Sequence, residues 1–469
     1  MNETLQYDLD NISQVLDAAK ILSLEYLNRL QDAPSAVSNP TVALVALPAK
    51  GLGAAQAQRL FEQNFLHNIV ASSGPRYWGF VTGGTTPASI AGDWLATVFD
   101  QNTQNAKGPG DVSAALEVQT VQLLLHLFNL PPHFLGAFVT GATTSNFTGL
   151  AVARQWYGRQ LGKDFAREGI SGTIKVYAAT PHSSAIKCMA MLGLGSNNIT
   201  LVPVLPGREC MDMDAFEAAI SQHPSEPFIL ISSGGTVNTV DFDDLQRIAS
   251  LKDKYNFWWH IDAAFGAFAA LSPQHAHLLT GWEAADSITI DFHKWLNVPY
   301  DSAMILTRSE HAQLQVQTFQ NSNAPYLGNP LEHFNYLNYV SENSRRFRAL
   351  PVWFSLLAYG KEGYADIVSN NIALAQQFGQ ALEASVYYKL AAPVRLNTIC
   401  FTLAEEDNRT DKIAKILAEL NKRGNVFMTP TVYKGLPCIR AALVNWRTAK
   451  EDVDIAVSEL LDVAKHYKY

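Results

Sequence analysis

The chain has 469 residues, 48% of them hydrophobic and 17% charged, a composition with ample apolar surface to bury that excludes a disordered polymer. Its 43 acidic residues outnumber 35 basic ones, for a formal charge of −8, and no basic stripe is present, so nucleic acid is not an expected partner. Cys188, Cys210, Cys400 and Cys438 show neither CxxC pairing nor zinc spacing, which predicts no metal site, no disulfide framework and a reducing, cytoplasmic setting.

The N-terminal MNETLQYDLDNISQVLDAAK carries acids early and lacks a basic stretch followed by an apolar run, unlike a secretion signal. No apolar run reaches the roughly 18 residues that span a bilayer, so no membrane partner is expected. Residues 8–32 read as a helix, and DAPSAVSNP after it reads as a boundary, giving a helical N-terminal segment over residues 1–70.

From about residue 135, short apolar runs alternate with helical patterns: GAFVTG, IKVYAAT, ITLVPVL, FILISSG, FWWHIDAA, SITIDF and SAMILT are the predicted strands. This alternation predicts an α/β domain over residues 71–360 with a mostly parallel sheet covered by helices. Residues 361–469 change style, with a helix, a strand, a second helix, a hairpin from VFMTP to CIRAALVN and a closing helix opened by Thr448 and Glu451 at capping-box spacing. They read as a smaller α+β domain.

Several polar residues stand where predicted strands end, the place where open α/β sheets build their sites. GAFVTGATTSNFTGL runs from a strand through Ala142 and Thr143 into a helix, which is either a phosphate seat of free N–H groups or an ordinary capped turn. His182 follows IKVYAAT and either caps a helix or stacks on a flat ligand; Thr236 follows two glycines after FILISSG. Asp262 lies in an apolar strand pattern, where a carboxylate needs a cation or donors. His293 and Lys294 follow SITIDF, and a partly desolvated lysine there can form an imine with a carbonyl.

Taken in order, the small-residue turn, His-Ser-Ser, Gly-Thr, Asp-Ala-Ala and His-Lys-Trp resemble the group II pyridoxal-phosphate-dependent amino acid decarboxylases, and the likeness runs from about residue 70 to the end through PRYWGFVTGGTTPASIAGDWLA and SRRFRALPVWFSLLAYGKEGY. The resemblance implies a fold-type-I homodimer that binds pyridoxal 5′-phosphate and an amino acid. It implies that Lys294 forms the Schiff base, Asp262 pairs with the pyridine nitrogen, His182 stacks on one ring face and Ala264 packs on the other. Ala142, Thr143 and His293 would hold the phosphate, with Thr236 near the ring substituents. It further implies Tyr336, or less favoured Tyr339, as the proton donor to Cα, and Phe80, Thr82 and Arg440 as substrate contacts, with a structural role for Arg440 as the alternative.

The implied reaction is decarboxylation of an L-amino acid to amine and carbon dioxide; an aminotransferase or aldehyde-lyase on the same fold is the alternative. Two departures stand out. Asp291 and Phe292 replace the family's Asn-Pro before the His-Lys pair, and GPRYWGFVTGG replaces the aromatic-rich stretch of animal aromatic decarboxylases. An aromatic substrate is therefore not implied.

Overall fold

The computed structural model describes residues 1–38, 40, 44–105, 111–320 and 334–467. The seven predicted strands all form: β1 (Phe134–Val139), β2 (Val176–Ala178), β3 (Ile199–Leu201), β4 (Phe228–Ser233), β5 (Phe257–Asp262), β6 (Ser287–Asp291) and β7 (Ala303–Arg308). They make one sheet in the order β1-β7-β6-β5-β4-β2-β3. Pairing is parallel from β3 through β2, β4 and β5 to β6, while β7 runs antiparallel to both β6 and β1.

The strands are apolar on both faces because both faces are covered. Along β5, Trp259 and Ile261 enter a core shared with Leu124, Phe138 and Val352, whereas Trp258 enters another shared with Leu150 and Trp156 of the helix Ala142–Gln160. The two-residue period therefore places Trp258, His260 and Asp262 on the face that meets this helix.

A second, antiparallel sheet is built from β8 (Tyr388–Leu390), β9 (Thr398–Leu403), β10 (Thr429–Tyr433) and β11 (Leu436–Ala442) in the order β10-β11-β9-β8. Its core holds Phe378, Ile399, Phe401, Ile439 and Leu460. The helix Ala349–Glu383 serves both sheets: Val352 to Ile372 pack on the large core and Leu374 to Leu382 on the small one. Its kink at Gly360, with φ 62°, falls where the sequence places the start of the smaller domain.

Two local expectations need correction. The helix expected over residues 8–32 is two helices, Glu3–Asp10 and Ile12–Asn28, because Asn11 leaves helical geometry while its side chain and backbone N–H both bond Tyr7 O. The last helix, Lys450–His466, is boxed by Asp452, which accepts from Ala449 N at 2.9 Å, and not by Glu451. Thr448 instead donates to Pro75 O at 2.8 Å, and Asp452 also meets Arg76 at 2.7 Å, so this helix start is tied to the front segment.

A buried ion pair ties the segment just before the long helix to the helix Ser113–Leu127 and to β1. Arg345 Nη2 lies 2.6 Å from Glu117 Oε1, with neither side chain exposed, and also donates to Phe138 O at 2.7 Å. Arg345→Met strands the Glu117 carboxylate in a dry site and is expected to destabilise the protein by about 3–5 kcal/mol. An unchanged denaturation midpoint in urea would refute that expectation.

Candidate active site

Parallel strands end on one edge, so the residues that follow β1, β2, β4, β5 and β6 converge there. Ala142, His182, Thr236, Asp262, Ala264, Lys294 and Arg440 all line one cavity of about 510 Å³, with Phe80 at its mouth. Phe80 is 61% exposed.

Lys294 and Asp262 stand at the ends of neighbouring strands. The ammonium of Lys294 lies 3.1 Å from Asp291 Oδ2 and 5.6 Å from the centre of the Phe265 ring. Asp291 is thus turned inward toward the lysine, and its other oxygen sits 3.2 Å from His293 Nδ1 without hydrogen-bond alignment. Asp262 accepts from Asn146 Nδ2 at 2.9 Å and from Ala264 N at 3.3 Å.

His182 is both cap and cavity wall. Its Nδ1 accepts from Ser184 N at 3.2 Å, capping the helix Ser183–Met191. Burial, and then the opposing pull of Asp262, leaves its pKa below the ordinary value, so the ring is neutral with its proton on Nε2. Ala142 and Thr143 open the helix Ala142–Gln160, whose first-turn N–H groups have no intrahelical partner. A Cβ added at Gly141 would meet only His293 Cε1, at 3.6 Å, so the backbone there is open.

The glycines of VTGG have a steric reason. A Cβ at Gly83 would sit 1.6 Å from Lys294 O, and Gly83 N donates to His293 O at 3.1 Å, which ties the front segment to the lysine turn. Thr82 is buried beside this contact, its hydroxyl 2.9 Å from Tyr300 Oη, and it does not line the cavity. Tyr300 in turn stacks on His293 with ring centres 4.3 Å apart. Thr236 lines the cavity, but its hydroxyl is committed to Glu209 Oε2 at 2.5 Å and to Asp241 N at 2.9 Å.

Tyr336 does not join this group. It is fully buried among Ala137, Val139 and Ile305, with the Arg345 guanidinium 4.2 Å from its ring centre and the Glu117 carboxylate beside its hydroxyl. Burial raises its pKa well above the ordinary tyrosine value, the opposite of what a proton donor needs. Tyr339 is buried beside it, and among the described residues no tyrosine lines the cavity. Within this chain neither hydroxyl lines the cavity.

Asn146 and Glu209 were missed, and Asp291 stood only as a departure from the family's pattern. For Asn146 a signal existed: it lies four residues after Ala142 and so on the same helix face.

The pyridoxal-dependent decarboxylase conserved domain matches residues 46–404. The chain belongs to this family. It is a pyridoxal-phosphate-dependent carboxy-lyase acting on an amino acid. An aromatic-L-amino-acid decarboxylase from Bacillus atrophaeus is 26% identical over 97% of this chain and 95% of that protein. A 3,4-dihydroxyphenylacetaldehyde synthase from Aedes aegypti is 27% identical over 88% and 81%. The structure of Oryza sativa TDC with PLP and tryptamine has the same fold, with a TM-score of 0.88 at 21% identity over 98% of each chain.

The cavity fits pyridoxal 5′-phosphate on its own chemistry. It offers an amine for the aldehyde, a carboxylate for the ring nitrogen, a flat imidazole and a methyl group to flank a ring, and an open helix start for a phosphate. Among the described residues no helix is long and apolar enough to cross a membrane.

A buried imidazole behind the site sets an acid limit on stability. His260 is fully buried and its pKa is pushed down to about 4 by burial, against about 6.5 unfolded. The unfolded chain therefore takes up the extra proton, and the contribution of His260 is complete above about pH 6.5 and lost as pH falls toward 4. Urea denaturation at stepped pH should show stability falling more steeply for the native chain than for His260→Gln, by up to about 1.4 kcal/mol per pH unit. Parallel slopes would contradict the assignment.

Proposed function

We propose that the chain removes the α-carboxylate of an L-amino acid as carbon dioxide and releases the corresponding amine. The observation that carries this is the amine of Lys294 and the carboxylate of Asp262 facing one 510 Å³ cavity, walled by His182 and Ala264. Bound pyridoxal 5′-phosphate supplies an aldehyde for an amine and a ring that accepts the electron pair left by departing carbon dioxide.

Each side chain has a role in that reading. Lys294 holds the cofactor covalently, Asp262 holds a proton on the ring nitrogen, and His182 and Ala264 clamp the two ring faces. The first-turn N–H groups of Ala142 and Thr143, with His293 beside them, hold the phosphate. Arg440, on β11, has a buried Nε without a partner and lines the cavity; its fork suits the α-carboxylate, with the Nε2–H of His182 as a second donor. Holding that carboxylate out of the ring plane is an orientation effect. Phe80 lies at the entrance as a contact for the substrate side chain.

The homodimer remains part of the proposal. The helices Glu3–Asp10 and Ile12–Asn28 bury nothing, and Leu5, Leu9, Ile12, Leu16, Ile21 and Leu24 are all about half exposed or more, an apolar surface that a second copy would cover. The four buried, unpaired cysteines support a cytoplasmic setting.

A second reading, release of an aldehyde in place of the amine, is favoured by the Aedes aegypti relative. A panel of L-amino acids decides between them. Carbon dioxide with an equal amount of amine supports the first reading, carbon dioxide with aldehyde the second, and keto acid without carbon dioxide rejects both. Light scattering on the same preparation reads the oligomer, and a monomer mass would reject the dimer.

A further inference from the structure

Behind the cavity, a chain of hydrogen bonds runs from the core to Asp262, and its direction can be worked out from donors that have no choice. Trp258 Nε1 only donates, and it reaches Ser287 Oγ at 3.0 Å. Ser287 Oγ lies 2.8 Å from His260 Nδ1 and has both a proton to give it and a second lone pair. At the other end, Asp262 as a carboxylate only accepts, so the Asn146 group facing it at 2.9 Å is the amide nitrogen. Asn146 Oδ1 then accepts from His260 Nε2 at 3.0 Å.

His260, fully buried and with its pKa pushed down by burial, is neutral, so the proton on Nε2 leaves Nδ1 bare and makes Ser287 its donor. Trp258, Ser287, His260 and Asn146 are all 0% exposed, so no water competes. The second N–H of Asn146 donates to Ser184 Oγ at 3.1 Å, and Ser184 Oγ lies 2.7 Å from His182 Nδ1. One amide thus serves both Asp262 and His182. The fold makes room for the arrangement: a Cβ at Gly149, one turn after Asn146, would sit 2.9 Å from the His260 ring.

We infer that Asn146 and His260 are positioning residues, a one-way hydrogen-bond chain that holds Asp262 fixed toward the ring nitrogen of the cofactor. Bonds aligned donor-to-acceptor polarise one another, and in a dry site a charge-assisted bond is strong. The inference rests on the reading of Asp262 as partner of that nitrogen.

The test uses the full chain stripped of cofactor and reloaded with pyridoxal 5′-phosphate. Asn146→Leu is expected to lower kcat by about tenfold to a hundredfold, the range of one hydrogen bond to a charged group, with KM moving less. It should also shift the pH titration of the visible cofactor band. His260→Leu should act in the same direction, and His260→Gln, whose amide can donate to Asn146, should recover most of that loss. A cofactor analogue with carbon in place of the ring nitrogen gives the decisive comparison, because there Asn146→Leu should lose nothing further.

Three results overturn the inference: an unaltered band and kcat in Asn146→Leu, equal losses in His260→Leu and His260→Gln, or an undiminished Asn146→Leu effect with the analogue. If Asn146→Leu does not fold, the His260 pair decides alone. A native chain that forms no cofactor band defeats the reading of the site as well, so the two failures are distinguishable.

Discussion

Lys294→Ala is expected to abolish carbon dioxide release, by at least about a thousandfold, and to remove the borohydride-sensitive absorbance band. Lys294 is the only lysine among the described residues that line the cavity, so no neighbour can substitute. Its side chain is 15% exposed and its ammonium is held 3.1 Å from Asp291, which places the amine in a partly desolvated site. The substitution leaves Asp291, 2% exposed, with only His293 nearby, so thermal unfolding should be followed alongside. A small exogenous amine should restore part of the activity if the lysine acts as an amine, and nothing if its role is structural. Retention of the band in Lys294→Ala would place the covalent link on another residue.

Asp262→Ala is the second large expectation. Its carboxylate is the only acid at the end of β5, and Asn146 and the Ala264 N–H fix both of its oxygens. On the proposed pairing with the pyridine nitrogen, removing it leaves nothing to keep that nitrogen protonated, and the ring would lose its capacity to accept electrons. The expected loss in kcat is at least about a hundredfold, or ~2.7 kcal/mol, while cofactor retention falls far less, because Lys294 and the phosphate seat remain. Fluorescence titration of the stripped chain with cofactor, set beside kcat for the reloaded enzyme, separates the two. A variant that binds cofactor weakly but turns over normally would assign Asp262 to binding alone.

Lys294, Asp262, His182 and Ala142 were readable because each follows an apolar run, and strand ends in a parallel sheet share one edge. Tyr336 was misplaced by counting nine positions back from Arg345. Spacing locates a residue along the chain but not which way its ring turns, and here Arg345 and Glu117 draw it into the core. Thr82 erred in the same way, its hydroxyl going to Tyr300 and not to the cavity. Asp291, in the sequence only a departure from the family's Asn-Pro, is turned by the fold toward Lys294 and becomes a partner of the amine.

The seven strands and the smaller second sheet were determined by the sequence by itself, since run length and period are local properties. Which side chains face the cavity was decided only by tertiary structure. The bond from Asn146 to Asp262 joins residues 116 positions apart and that from His260 to Asn146 joins residues 114 apart. Donor direction along that path depends on what every neighbour can offer, and those neighbours come together only when the helix Ala142–Gln160 packs on β5.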